Sequence, residues 1–315
     1  MPGRGFFLGI LPTAAEGSSL ERAYDDAADM CEFVPVWGRP TPFYDLAGDI
    51  TGSWGRQFID GLIRERGMFP LIHMSFIDRV NGELVLKAPP GENVTLSDPV
   101  WREFYIHAVE DVVRAARPLY ISLGNEVNRW YEAHGAGEGN PNGFQHWVSL
   151  YEEAYEAAKG ICPETKVFCV FSREVVAENR EADLSVLRMF DPGKLDLLVF
   201  TSYPSANREV NRPEDLPDGY YSRAFEYTEE KPIGFSELGW PVHTEFGGEE
   251  GQADFLRDIV GRLTVDQGLD LELVAWNWLH DLGPGDKTGL AYINGTRKVA
   301  FEVFSSISRG SPGAG

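Results

Sequence analysis

Residues 97–127 read SDPVWREFYIHAVEDVVRAARPLYISLGNEV, and the order of features in them decides the fold. Ser97 and Asp98 are helix-capping residue types, and Pro99 suits a first helical turn, where its missing N–H goes unused. A long segment with helical periodicity follows. It gives way to a short apolar run, PLYISLG, which ends on Asn125 and Glu126. A capped helix running into an apolar strand with a carboxylate at its end is one repeat of an α/β alternation.

The rest of the chain repeats that unit. Apolar runs stand at 5–11 (GFFLGIL), 31–38 (CEFVPVWG), 68–77 (MFPLIHMSFI), 118–127 (PLYISLGNEV), 165–172 (TKVFCVFS), 195–204 (LDLLVFTSYP), 231–241 (KPIGFSELGWP) and 271–280 (LELVAWNWLH). Helical segments are expected after Ser18-Ser19 and near 54–66, 143–159, 181–190, 220–229, 249–267 and 298–308. Each return to a parallel neighbour needs a crossover, so strict alternation predicts a parallel sheet. Eight units favour closure into an α/β fold, a single (β/α)8 TIM barrel whose catalytic loops lie at the C-terminal ends of the strands. No Gly-rich phosphate turn follows the first run, which disfavours an open dinucleotide-binding sheet. The expected barrel covers 1–308, and the Gly/Pro/Ser-rich 309–315 reads as a flexible tail. The longest irregular stretches, 79–97 and 129–142, fall after the third and fourth strands, on the side where such barrels build active sites.

Composition narrows the function. Of 315 residues, 43% are apolar, and no run reaches the ~20 residues of a membrane span, so no membrane partner is expected. A net charge of −21, from 49 acidic and 28 basic residues, repels phosphate backbones and argues against nucleic acid. The acids come in scattered pairs, as on a solvated surface. Cys31, Cys162 and Cys169 form no CxxC pair, and only His73 and His280 among the histidines lie in strand runs, so neither a metal nor another cofactor is implied. No G-x-S-x-G elbow occurs. Arg4 before FFLGIL faintly imitates a leader peptide, but a first barrel strand explains the stretch better. Location stays open between cytoplasm and secretion, and the chain is expected to be monomeric.

A carboxylate inside an apolar run is costly unless something satisfies it. Glu126 ends the fourth run and Glu237 stands in the seventh, so in a barrel both project toward one mouth. Paired carboxylates, one donating a proton and the other remaining ionised, are what glycosidic cleavage requires. With Asn125-Glu126 after the fourth strand and Glu237 after the seventh, the chain resembles the retaining (β/α)8 glycoside hydrolases of clan A. YISLGNEV and FSELGWP are most similar to motifs of the family 17 β-1,3-glucanases, with a departure at Leu238, and the family 53 β-1,4-galactanases come next. The resemblance implies Glu126 as acid/base, Glu237 as nucleophile, Asn125 as partner of the sugar 2-hydroxyl, and Tyr203 as a hydrogen-bond donor to the nucleophile. For Tyr203 the alternative is an aromatic capping the rim.

Trp276, Trp278 and His280 alternate along the eighth run and share a face. If that face is inward, one tryptophan can stack on a sugar ring; if not, both are core. Trp37 and Arg39 after the second run, Trp240 and His243 after Glu237, and His73 in the third are further candidates for carbohydrate subsites, with packing or a surface ion pair as the alternative for each. The expectation is a retaining β-glycoside hydrolase acting endo on a β-glucan or β-galactan. A non-catalytic carbohydrate-binding barrel, or a transglycosylase using the same glutamates, is the alternative.

Overall fold

The computed structural model describes residues 1–37, 43–75, 77–78, 83–84 and 94–310. Parallel strands run at Phe7–Ile10, Phe33–Val36, Phe69–His73, Tyr120–Ser122, Lys166–Phe168, Val170–Ser172, Leu198–Ser202, Ile233–Leu238 and Leu271–Trp276. Lys166–Phe168 and Val170–Ser172 are two parts of the fifth strand, separated by Cys169. The first part pairs with the fourth strand and the second with the sixth, so the two ends of the sheet meet in one stretch of chain. Leu123 N–H donates to Phe168 O at 2.9 Å and Val170 N–H to Gly124 O at 2.8 Å, which carries the pairing across the break. The result is the expected TIM barrel of eight strands.

Side chains alternate between two cores. Leu8, Ile10, Val34, Ile72, Phe171 and Val274 face outward and pack with helix residues such as Trp101, Trp147 and Phe255. Phe33, Leu71, Tyr120, Phe168, Val199 and Leu273 face inward and form a separate cluster. Phe7 and Phe69 meet edge to face at 5.1 Å there, and the Tyr120 hydroxyl donates to buried Glu272 at 2.6 Å. The barrel interior is a packed core, so a substrate can enter only at the rim.

The helix Pro99–Ala116 starts as expected: the Asp98 carboxylate accepts from the Val100 and Trp101 N–H groups, with Pro99 in the first turn. Leu20–Ala28, Phe144–Ile161, Gly248–Gly261 and Val299–Ser308 likewise match expected helices. The segment 54–66 is wound mainly as a π-helix, Arg56–Ile63. After the fifth and sixth strands the expected α-helices are replaced by 3-10 turns, Ser185–Met189 and Ser222–Glu226. Pro192 lies just past the first of these turns, and Pro213 and Pro217 lie just before the second. In the other direction, the expected irregular stretch 129–142 contains most of a helix, Val127–His134, which begins directly after Glu126. Of 79–97 only 83–84 and 94–97 lie within the described residues, and 311–315 of the expected tail lie outside them. The three cysteines are buried free thiols. Among the described residues no helix is long and apolar enough to cross a membrane.

Candidate active site

The sixth strand organises the mouth of the barrel. Thr201 stands in the sixth strand and Tyr203 directly past its end. Thr201 Oγ1 donates to Glu126 Oε1 at 2.7 Å, and the Tyr203 hydroxyl donates to Glu237 Oε2 at 2.7 Å. Thr201 is also the register partner of Glu237 on the neighbouring strand. Glutamates contributed by the fourth and seventh strands are thereby held at the end of the sixth.

The two carboxylates reach that place by different local devices. Glu126 has left-handed backbone, φ 51° and ψ 42°, and stands immediately before the helix Val127–His134. Such a conformation costs a non-glycine residue about 1–3 kcal/mol and marks places where the surroundings over-determine the chain. Next to it, Asn125 is 4% exposed, and neither atom of its amide has a hydrogen-bond partner among the described residues.

Glu237 depends on a bulge. Between the sixth and seventh strands the register runs from Phe200↔Phe235 to Thr201↔Glu237, so Ser236 is an extra residue. Ile233 and Phe235 belong to the outer core, whereas the Gly234 α-carbon faces Val199 and Leu273 of the inner one. Plain alternation would send Glu237 outward beside Phe235. The extra residue turns it inward, and Leu238 returns to the outer core.

Three further residues at the mouth carry no motif of their own in the sequence. Thr201 is one. Asn277 follows the eighth strand, 3% exposed; its Nδ2 donates to Thr288 Oγ1 at 2.6 Å, and its Oδ1 has no partner among the described residues. Glu174, 3% exposed, accepts from the Tyr203 N–H at 2.7 Å, the Tyr220 hydroxyl at 2.8 Å and the Ser202 hydroxyl at 3.0 Å. Burial raises its pKa from the usual 4.5 to about 7, against the pull of Arg173 and of those three donors. The signal that could have found Asn277 and Glu174 is the one that picked out Glu126, a polar residue closing an apolar strand. Beside them, the Tyr203 ring lies on the Gly239 α-carbon: a Cβ at Gly239 would stand 2.7 Å from Tyr203 Cε1.

Some expected subsite residues do gather here. Trp37 and His73 stack flat, with ring centroids 3.7 Å apart and planes 4° from parallel. Trp278 is half-buried at the rim. Other candidates are not brought to the mouth. Trp276 is fully buried in the outer core near Phe255, with its indole N–H donating to Thr288 O at 2.8 Å. The inward positions of the eighth strand belong to Leu273 and Ala275, which fixes Trp276 on the other face. Trp240 is likewise fully buried, stacked at 4.8 Å on Phe255 and donating to Phe246 O. His280 shares hydrogen bonds with Thr13 and anchors the eighth-strand loop to the first. His243 is half-buried beyond Trp240, and Arg39 lies outside the described residues.

Beside the stacked pair, a groove of about 680 Å³ runs over the ends of the first two strands, lined by Leu11, Thr13, Trp37, Trp54, Phe58 and Asp281 among others. Among the described residues no group of three or more His, Cys, Asp or Glu side chains is arranged to hold a metal ion.

No protein-family model matches the chain, and neither does any curated protein sequence. Solved structures do. A GH5_18 protein from Streptomyces cattleya in complex with GlcNAc aligns over 99% of this chain and 82% of its own, at 16% identity and a TM-score of 0.68. Native xylanase 10B from Thermotoga maritima aligns over 98% of this chain and 96% of its own, at 12% identity and a TM-score of 0.66. An exo-β-1,4-mannosidase from Opitutaceae bacterium strain TAV5 aligns over 99% of this chain and 62% of its own, at 17% identity and a TM-score of 0.65. These neighbours do not support the narrower likeness to families 17 and 53. What they share with this chain, over nearly its whole length, is the fold of the TIM-barrel glycoside hydrolases.

Proposed function

We propose that the protein is a retaining β-glycoside hydrolase that cleaves O-glycosidic bonds in a β-linked oligo- or polysaccharide. The observation that carries this reading is the end of the sixth strand, where Thr201 and Tyr203 each hold one glutamate at 2.7 Å at the mouth. Two carboxyls so gathered at the C-terminal rim of a barrel are the minimum apparatus of double displacement.

In the first step Glu237 attacks the anomeric carbon while Glu126 gives its proton to the departing oxygen, leaving a glycosyl ester on Glu237. In the second step Glu126 takes a proton from water, whose oxygen displaces Glu237 from the opposite face, so the original configuration returns. The Tyr203 hydroxyl donates to the attacking carboxylate and favours its ionised form. Thr201 sets the direction in which Glu126 presents its acid group. Asn125 supplies the partner of the 2-hydroxyl: a buried amide left unpaired costs about 1–3 kcal/mol, and a sugar hydroxyl relieves it. Asn277 offers a second buried acceptor of the same kind. Trp37 with His73 and the half-buried Trp278 supply flat apolar surface for sugar rings on either side.

The motif resemblance favours a β-glucan or β-galactan, and the mannosidase and the xylanase among the structural neighbours add β-mannan and xylan. The test is turnover of aryl β-glycosides and of these four polysaccharides, with the anomer released read by NMR. A β-product that disappears in Glu237→Ala and Glu126→Ala supports the assignment. Full activity in either variant, or an inverted product from the wild type, refutes it. A wild type that binds these polysaccharides and hydrolyses none of them is a carbohydrate-binding barrel.

A further inference from the structure

We infer that Glu174 is a positioning residue of the active site: its buried carboxylate grips the main-chain N–H of Tyr203 and so aims the Tyr203 phenol at Glu237. This rests on the functional reading above and adds a residue to it.

The chain of contacts is short. Glu174 Oε2 accepts from Tyr203 N–H at 2.7 Å, and the Tyr203 hydroxyl donates to Glu237 Oε2 at 2.7 Å. Tyr203 lies just past the last hydrogen-bonded residue of the sixth strand, so the ladder no longer fixes its orientation. The Tyr203 ring is bounded on one side by Gly239, and its carbonyl accepts from Ala206 N–H at 2.8 Å. Glu174 supplies the grip that the sheet has stopped supplying.

The carboxylate is itself rigidly held. Its Oε1 accepts from Ser202 Oγ at 3.0 Å and from the Tyr220 hydroxyl at 2.8 Å, and Ser202 Oγ also pairs with the Tyr221 hydroxyl at 2.8 Å. Arg173, 1% exposed, lays its guanidinium 3.7 Å over the Tyr220 ring and donates to Tyr220 O at 2.8 Å. Its charge is met by Glu181 at 2.8 Å, which Arg223 also reaches at 3.2 Å. A buried carboxylate costs free energy to keep. A plain packing role would be filled as well by an apolar side chain, whereas gripping an N–H needs an acceptor.

The experiment compares Glu174→Ala with Glu174→Gln, each in the wild-type and in the Tyr203→Phe background, on whichever aryl β-glycoside the wild type hydrolyses. Glutamine keeps an amide oxygen for the Tyr203 N–H and can turn its NH2 toward the two hydroxyls. We expect Glu174→Ala to lower kcat roughly tenfold with KM changed less than about twofold, and Glu174→Gln to restore most of the loss. In the Tyr203→Phe background, with no phenol to aim, Glu174→Ala should cost less than about twofold more. Glu174→Leu, close in volume and without an acceptor, replaces the alanine variant if truncation costs the fold. A penalty that persists undiminished in the Tyr203→Phe background, or glutamine as damaging as alanine, overturns the inference. In that case, inactivity of Glu237→Ala still leaves the hydrolase reading standing. A wild type inactive on every substrate overturns both.

Discussion

The two glutamates sit at the same rim, yet the chain mounts them in opposite ways. Glu126 stands where a strand has just ended, on left-handed backbone at the start of a helix, and one threonine hydroxyl steadies it. Glu237 stands inside a strand, turned inward by a bulge, and is held by a tyrosine that is itself held by a buried carboxylate. The first is steadied at the junction of a strand and a helix; the second is braced through Tyr203 and, behind it, Glu174. That difference suits the roles proposed for them. An acid/base must exchange protons with leaving group and water in turn, whereas a nucleophile must keep one line of attack.

The contrast can be broken most severely at the carboxylates. Glu237→Ala should lower kcat roughly 10⁴-fold or more on every substrate, and external azide should restore part of the rate with an inverted glycosyl azide as product. Glu126→Ala should spare the first step on aryl glycosides with acidic leaving groups, and azide there should give the retained product. An identical azide anomer from both variants would mean the two mounts do not correspond to two roles.

A second cut falls on the braces. Tyr203→Phe removes a hydrogen bond to a charged group, worth about 1.5–3 kcal/mol, so kcat should fall about 10- to 100-fold with KM nearly unchanged. Thr201→Val removes a bond of the more ordinary kind, about 0.5–1.5 kcal/mol, and should cost about two- to tenfold. Equal losses in steady-state kinetics would erase the distinction between the two mounts.

The last effect is on stability and leaves the rate aside. Glu174 has a folded-state pKa of about 7, above the 4.5 of an ordinary glutamate. The folded protein therefore binds the extra proton between those values, so this group's contribution is full below about pH 4.5 and is lost as pH rises through about 7. Glu174→Gln cannot ionise, and its melting temperature relative to the wild type should climb across that window. A difference that stays level with pH would show that the carboxyl does not titrate there.

Much of this architecture is legible in the residues. The eight apolar runs become the eight strands because a strand buried on both faces must be apolar throughout. Glu126 and Glu237 stand out because carboxylates are expensive in such runs. The facing of side chains past the end of a regular strand is not legible. Trp276 and Trp278 look alike in sequence, and only the inward placement of Leu273 and Ala275 puts Trp276 in the outer core. Glu174 and Asn277 carry the same mark as Glu126, a polar residue at a strand end, but their roles are set by the partner each finds, or lacks among the described residues, across the barrel. In place of the helices expected after the fifth and sixth strands stand 3-10 turns of five residues, and over so short a span the two windings differ little in backbone angle or residue pattern.

The extra residue at Ser236 carries a further consequence. With Ser236 deleted, Phe235 and Glu237 would become neighbours in an unbroken strand, and plain alternation would still turn Phe235 outward and Glu237 inward, opposite Thr201. In a regular strand the same loss sends every following side chain to the opposite face. The bulge is therefore a spare place beside the carboxylate, where the chain can shorten by one codon and keep the glutamate at the mouth.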